Sequence, residues 1–379
     1  MGKTVAFFNG FYLPHLGGVE NYTYHLGQKL REKGYRVIVV TTQHDIALKT
    51  SEIKDGIKVF RLPVYNIWRQ RSPFLKKNSV YHQLVKELQK EKIDYFVINT
   101  WFYQVSILGA KLASLQGVKP TVIGHMSTWL TLNNSIADVI LHSIERKLIG
   151  KLKKYDSSFV GVSQAASEWL KEFGITAEGV LYNAVEESDY EKYFVKKVRD
   201  KDIIITFSGR LEKNLKGVEI LLSVFKQLSN EYRNLKLIIA GDGPMYTELK
   251  NKYPDKNIEF LGRVENDAVM KVMNQSDIFV LLSKAEGFST SLLEAGLMGN
   301  ILITTNVGGA IEMIPTADFG YIIERDEKSL SETIREVMAM DRTFLDKMQN
   351  SISRRIYENF TWTKTTEVFI NMIEKSENR

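Results

Sequence analysis

Lys284-Ala-Glu-Gly-Phe-Ser-Thr-Ser-Leu-Leu-Glu-Ala-Gly-Leu-Met-Gly299 follows the strand-like run Asp277-Ile-Phe-Val-Leu-Leu282 and opens a helix-like one. Its Gly-Phe turn therefore falls at the carboxyl end of a strand, where open α/β sheets bind ligands. The N–H groups of the first helical turn, at Ser289, Thr290 and Ser291, suit an anion. Glu294 lies roughly 6 Å along the helix axis from Thr290, inside the apolar set Leu292, Leu293, Ala295, Leu297 and Met298, and a carboxylate there needs partners. Two carboxylates on either side of a strand-to-helix turn can hold a polyhydroxylated ligand, because hydroxyls donate well to carboxylates; a nucleotide ribose or a sugar ring fits. The plainer alternative leaves Glu286 in a surface loop and gives Glu294 an arginine or a cap N–H.

Outward from this stretch, apolar runs alternate with amphipathic ones, which implies parallel sheets with helical crossovers. Thr4-Val-Ala-Phe-Phe8 reads as the first strand and 19–33 as a helix, with Val19, Tyr22, Leu26 and Leu30 on one side. The turn between them carries Gly17-Gly18 rather than G-x-G-x-x-G, so a nicotinamide enzyme is not expected, although paired glycines still let backbone N–H groups approach a phosphate. Thr121-Val-Ile-Gly-His125 puts a histidine at another strand end, a position more often structural than catalytic. In the second half, the strand 203–207 runs into Ser208-Gly-Arg-Leu-Glu-Lys-Asn-Leu-Lys-Gly217. Arg210 offers a planar fork and Lys216 a point charge, a combination that suits a diphosphate, with Lys213 a competitor for the Lys216 role. Asp200-Lys-Asp202 spells a metal-associated D-x-D but precedes its strand, so no metal site is expected from it.

The length of 379 residues favours two domains, and 44 % apolar with 25 % charged residues is ordinary for a globular chain. With no cysteine there are no disulfides or thiolate metal sites. Neither a leader nor a membrane-length apolar run is present, and the expected setting is cytoplasmic. A net charge of +6 and a pI near 9.0 suit an acidic partner. No zinc-finger spacing, RNP-like strand or heptad-linked basic region is present, so nucleic acid is not the expected one. Two basic segments point instead toward an anionic membrane surface. Residues 66–77 mix Trp68, Phe74 and Leu75 with Arg69, Arg71, Lys76 and Lys77. The helix expected at 135–155 carries Ile136, Val139, Ile140, Ile144 and Leu148 on one stripe and ends in Arg146, Lys147, Lys151, Lys153 and Lys154. A solvated loop and a helix end with its usual cations are the plainer accounts.

These motifs, in this order, resemble the large family of retaining nucleotide-sugar glycosyltransferases with the two-Rossmann (GT-B) architecture, the family 4 and group 1 glycosyltransferases. Glu286 to Glu294 is similar to its Glu-x7-Glu signature. Gly17, Gly18, Val19 and Glu20 match its Gly-Gly-Val-Glu, Gly209-Arg210 with Lys216-Gly217 its Gly-Arg…Lys-Gly, and Trp362 its usual tryptophan.

The resemblance implies two Rossmann-like domains facing across a cleft: an acceptor-binding domain at 1–190, a nucleotide-sugar-binding domain at 191–355, and a helix at 356–379 returning to the first. Residues 186–202, charged and without long apolar periodicity, read as the linker. It further implies a retaining, metal-independent hexosyl transfer from a nucleoside-diphosphate sugar, UDP the expected nucleotide, to a glycan or lipid-linked acceptor. The donor is a substrate, and no cofactor is expected. By this resemblance His125, Glu286, Arg210 and Lys216 form the catalytic set. Gly17, Gly18, Arg263, Val264, Phe288, Ser289, Thr290 and Glu294 form the donor-binding set. A nucleotide-sugar epimerase, or a non-catalytic nucleotide-sugar-binding subunit, would use the same architecture.

Overall fold

The computed structural model describes residues 2–67, 72–131, 134–195 and 202–377. The chain divides into two compact units, Met1–Tyr182 with Thr365–Arg379, and Asn183–Lys364.

The first unit is built on β1 (Thr4–Phe8), β2 (Arg36–Thr42), β3 (Ser51–Lys54), β4 (Ile57–Leu62), β7 (Tyr95–Asn99), β8 (Thr121–Gly124) and β9 (Ser158–Gly161), with β5 (Val64–Ile67) and β6 (Ser72–Leu75) forming a separate hairpin. The sheet order is β3-β4-β2-β1-β7-β8-β9, all parallel except the edge strand β3. Every residue of β1 is buried, as expected of a central parallel strand covered on both faces, and this is why it reads as an unbroken apolar run. The helix Gly18–Glu32 returns the chain to β2 and buries Tyr22, Leu26 and Leu30.

The second unit carries β10 (Ile203–Ser208), β11 (Leu235–Ala240), β12 (Ile258–Gly262), β13 (Ile278–Leu281), β14 (Ile301–Thr305) and β15 (Gly320–Ile323), ordered β12-β11-β10-β13-β14-β15 and wholly parallel. Leaving out β3, both sheets have the doubly wound order of a Rossmann fold, whose strand order reverses beside the first strand and opens a crevice there. In the first unit that crevice lies between β1 and β7, in the second between β10 and β13.

Three readings of the sequence are corrected. The stretch expected as linker contains a helix, Glu187–Tyr193, that belongs to the second unit and ties to the helix Asn266–Gln275 through Lys192 and Asp267, 2.9 Å apart; seven residues are too few to show a periodicity. The last helix begins at Trp362, after the separate helix Arg342–Asn359. The stripe Ile136, Val139, Ile140, Ile144 of the helix Ser135–Lys153 is turned outward, and the buried side is Glu145, Ile149 and Leu152. Trp68, Arg69 and Arg71 of the basic segment, and Asp200 and Lys201 of the D-x-D, lie outside the described residues; Asp202 pairs with Lys236.

Candidate active site

In the second unit, the loops that leave β10 and β11 touch backbone to backbone. Gly241 has φ +152°, and a Cβ there would lie 1.9 Å from the carbonyl oxygen of Gly209; one on Gly243 would lie 2.5 Å from that of Leu211. Only glycine fits such an approach. The Leu211 N–H donates to Asp242 O at 3.0 Å and locks the pair. With Arg263, Val264 and Val269 these loops line a cavity of about 430 Å³ that also takes in Ser208 and Arg210. Arg210 is 63 % exposed and ion-paired to Glu212 Oε1 at 2.7 Å.

Across the crevice, Gly217 (φ +74°) presses the entry of the helix Val218–Glu231 onto the end of β13, its absent Cβ leaving room for Leu282 O. Lys216 Nζ thereby reaches Glu286 Oε1, which also accepts from Ser283 Oγ at 2.7 Å. Lys213 is exposed, so Lys216 is the lysine that the fold carries to the glutamate. Arg325 ties the two loops together, donating from Nε to Leu282 O at 2.8 Å and from Nη2 to Asn214 O at 3.1 Å.

The helix Thr290–Leu297 is capped by Ser289, whose Oγ accepts from the Leu292 N–H at 3.4 Å. Glu294 follows one turn later, and burial pushes its carboxyl up to about 8, with the charge of Asp189 adding to the effect. Phe288 is buried against Gly309, where a Cβ would fall 1.9 Å from its ring, and its carbonyl accepts from Asn183 Nδ2 at 3.2 Å.

In the first unit, three strand ends converge on one polar cluster. Asn9 follows β1, Asn99 ends β7 and His125 follows β8. Asn99 Nδ2 donates to Asn9 Oδ1 at 3.0 Å and to Thr23 Oγ1 at 2.9 Å, Asn9 Nδ2 donates to Thr23 Oγ1 at 2.7 Å, and Thr23 Oγ1 donates to Val19 O at 2.8 Å. Asn99 Oδ1 is then the acceptor for His125 Nε2 at 2.8 Å, which fixes the tautomer with the proton on Nε2 and a lone pair on Nδ1. Burial lowers the imidazole to about 3, so the ring is neutral. Tyr22 meets it edge-on at 4.9 Å. A Cβ on Gly17 would fall 2.4 Å from Glu20 Oε2, so that carboxylate folds back onto the turn, whereas Gly18 has nothing within 4 Å and stays open.

The description "Glycosyltransferase Family 4" matches residues 16–189, and "Glycosyl transferases group 1" matches 189–358. The chain belongs to the family 4 and group 1 glycosyltransferases. It is similar to the phosphatidylinositol N-acetylglucosaminyltransferase GPI3 subunit of Saccharomyces cerevisiae, 25 % identical over 402 residues that cover 99 % of this chain and 84 % of that one. Among solved structures, sucrose-phosphate synthase from Thermosynechococcus elongatus matches with a TM-score of 0.78 at 15 % identity, covering 99 % of both chains. Anabaena HepE in complex with UDP-glucose matches at 0.73 and 18 %, covering 98 % of this chain and 99 % of that one. These two likenesses are of fold.

For this glycosyltransferase the second unit gathers nine of the site residues read from the sequence into three groups, while His125, Gly17 and Gly18 belong to the first unit. Arg210, Arg263 and Val264 line the cavity. Lys216 and Glu286 form a pair beside it, and Phe288, Ser289, Thr290 and Glu294 follow on the next turn and helix. The sequence reading missed Asn9, Thr23, Asn99, Ser283 and Arg325. Asn99 was findable, since a polar residue closing a buried apolar run at a strand end is the same signal that marked His125. Nothing local marks Arg325, whose two acceptors lie 43 and 111 residues away.

Proposed function

We propose that this glycosyltransferase moves a hexose-type sugar, with retention, from a UDP-sugar to a hydroxyl of a lipid-linked acceptor at the inner face of a membrane. The observation that carries the donor half is the juxtaposition, at the carboxyl ends of β10 to β13, of a cavity bordered by Arg210 and Arg263 with the Lys216–Glu286 pair. Diphosphate needs cations, and sugar and ribose hydroxyls need carboxylates. The acceptor half is supported by the printed name of the GPI3 relative, which describes a transferase acting on phosphatidylinositol.

In this reading Arg210 and Lys216 stabilise the negative charge that grows on the leaving diphosphate, work that a metal ion does in other transferases. Glu286 holds the sugar, Glu294 the ribose, and neutral His125 offers its Nδ1 lone pair to a sugar hydroxyl. The bond from the anomeric carbon to the phosphate oxygen breaks as the acceptor oxygen bonds to that carbon on the same face. The acceptor's proton passes to the departing phosphate oxygen, leaving UDP and the glycoside.

Incubation with a panel of nucleotide sugars, with and without phosphatidylinositol or polyprenyl-phosphate-linked sugars, tests it. Transfer requires acceptor. Conversion of the donor to its epimer without acceptor would make the chain an epimerase, and binding without turnover would make it a partner subunit.

A further inference from the structure

Arg61 is the second-last residue of β4, and its side chain is fully buried, a cation inside the sheet of the first unit. Its Nη2 pairs with Glu52 Oε1 on the edge strand β3 at 2.7 Å and also donates to Leu13 O at 2.9 Å, while Nη1 donates to Lys49 O at 3.2 Å. Taking a charge out of water costs about as much as one ion pair returns, so stability is a poor account of a buried arginine. Its planar fork lets one side chain reach a carboxylate and two carbonyls together.

The two carbonyls belong to different loops, at the carboxyl ends of β1 and β2. Loop 9–17 begins at Asn9, which accepts from Asn99 in the His125 cluster, and ends at Gly17, where the helix Gly18–Glu32 starts. The stem of this loop is pinned: Thr42 Oγ1 donates to Gly10 O at 2.5 Å, and a Cβ on Gly10 would fall 2.3 Å from the Tyr103 ring. Its tip, Pro14 to Leu16, is exposed, and Arg61 holds the backbone at Leu13, just before that tip. Loop 43–50, whose Lys49 takes the second bond, carries His44. The rings of the two loops pack together: Phe11 stacks on His15 at 4.6 Å and meets His44 edge-on at 5.7 Å, and His15 meets His44 edge-on at 5.6 Å. One buried cation thus joins both loops behind this ring cluster. Arg325 makes the same kind of link in the second unit, between the loops after β10 and β13.

We propose that Arg61 is a positioning residue for sugar transfer: through the Leu13 and Lys49 carbonyls it fixes the loop that joins the His125 cluster to Gly17-Gly18. This rests on the reading that the chain transfers sugar to an acceptor, and it is tested by one readout that needs turnover and one that does not.

The double variant Glu52→Met/Arg61→Met replaces the ion pair with apolar side chains, an exchange often neutral or stabilising, while it deletes both loop bonds. It keeps the wild-type melting temperature, and its kcat falls roughly ten- to a hundredfold, the effect of a misplacement on the order of 1 Å. Glu52→Gln removes the carboxylate but leaves Arg61 on both carbonyls, so it lowers the melting temperature and retains kcat. Arg61→Lys keeps the charge for Glu52 without the fork and shows part of the kcat loss, which carries the test if the double variant fails to fold. In protein labelled at its six histidines, both Arg61 variants shift the ring resonances of His15 and His44 and leave those of His82 and His142 in place. A folded Arg61 variant with wild-type kcat would overturn the proposal. So would a kcat loss in Glu52→Gln equal to that of the double variant, which would trace the effect to the ion pair. Unmoved His15 and His44 resonances would overturn it whatever the acceptor proves to be. Absence of transfer by the wild type would instead sink the acceptor reading and leave the histidine resonances to decide whether Arg61 holds the loops.

Discussion

Lys216 Nζ bonds the same oxygen of Glu286 that Ser283 Oγ reaches at 2.7 Å, so the cation assigned to the diphosphate and the carboxylate assigned to the sugar are one electrostatic unit. Both side chains are largely buried, and Arg325 holds the loops that carry them. Residues in one network do not contribute additively. Lys216→Met alone leaves Glu286 without its cation, and Glu286→Gln alone leaves Lys216 without its anion. In a double-mutant cycle read by turnover, the combined variant is expected to lose far less than the product of the two single losses, with a coupling on the order of 1–3 kcal/mol. Strictly multiplicative losses would mean that Lys216 and Glu286 act independently and not as one unit.

The two carboxylates of the Glu-x7-Glu stretch should separate in kinetics. A ribose contact is alike in ground and transition states, so Glu294→Gln should chiefly weaken free UDP binding. A contact to the sugar as charge develops at its anomeric carbon should show in turnover, so Glu286→Gln should lower kcat and leave UDP affinity nearly intact. Loss of a charge-assisted hydrogen bond at Glu286 is worth about 1.5–3 kcal/mol, roughly ten- to over a hundredfold, whereas at Glu294, whose raised carboxyl is protonated at neutral pH, a neutral bond is lost, worth about 0.5–1.5 kcal/mol or roughly two- to tenfold. Calorimetry with UDP beside steady-state kinetics measures both. The opposite pattern would reverse the roles.

Glu294 also makes a pH prediction. Its folded carboxyl, raised by burial to about 8, binds a proton that the unfolded chain, near the ordinary glutamate value, has released. The folded state thus holds more protons between roughly pH 4.5 and 8, and stability falls as pH rises through that window. His125, lowered to about 3, works the other way: the unfolded chain binds the extra proton, and stability falls as pH drops from roughly 6.5 toward 3. Unfolding free energy against pH, from denaturant titrations, should therefore show Glu294→Gln gaining on the wild type between pH 5 and pH 8, by on the order of 2–4 kcal/mol. A constant difference across that range would count against a raised Glu294.

Asn99 orients His125 from within the first unit. Asn99→Ala removes the acceptor for His125 Nε2–H and the donor to Asn9 Oδ1, at about 1–3 kcal/mol for each buried group that loses its bond, while Thr23 Oγ1 keeps its bonds to Asn9 Nδ2 and Val19 O. Lower kcat at unchanged UDP affinity is the expected result, with His125→Ala giving the same signature. Unchanged kcat in a folded Asn99→Ala protein would reduce the cluster to packing.

Among the described residues no three His, Asp or Glu side chains gather where they could hold a metal ion. With Arg210 and Lys216 in the electrostatic role, transfer should survive a strong chelator. Loss of activity on chelation, restored by manganese or magnesium, would contradict that assignment.

The amino-acid sequence by itself determined the alternation of buried strands and helices, because central parallel strands must be apolar on both faces and their crossover helices on one. That Gly217 and Gly241 stand where left-handed or close-approach backbone excludes a side chain came from the tertiary structure. The positions of Glu286, Arg210 and His125 just beyond strand ends, and of Glu294 in the helix that follows, come from the same alternation. Tertiary structure alone decided their partners. Lys216 rather than Lys213 meets Glu286 because Gly217 is pressed onto Leu282, and Arg325 enters the site from beyond the last strand. The direction of the helix Ser135–Lys153 was likewise beyond local reading. Its isoleucine stripe has the spacing of a core face, and only the Trp101–Glu145 hydrogen bond and the buried pair Ile149 and Leu152 turn it outward. Periodicity tells which residues share a face. Which face is covered depends on contacts made by residues far away in the chain.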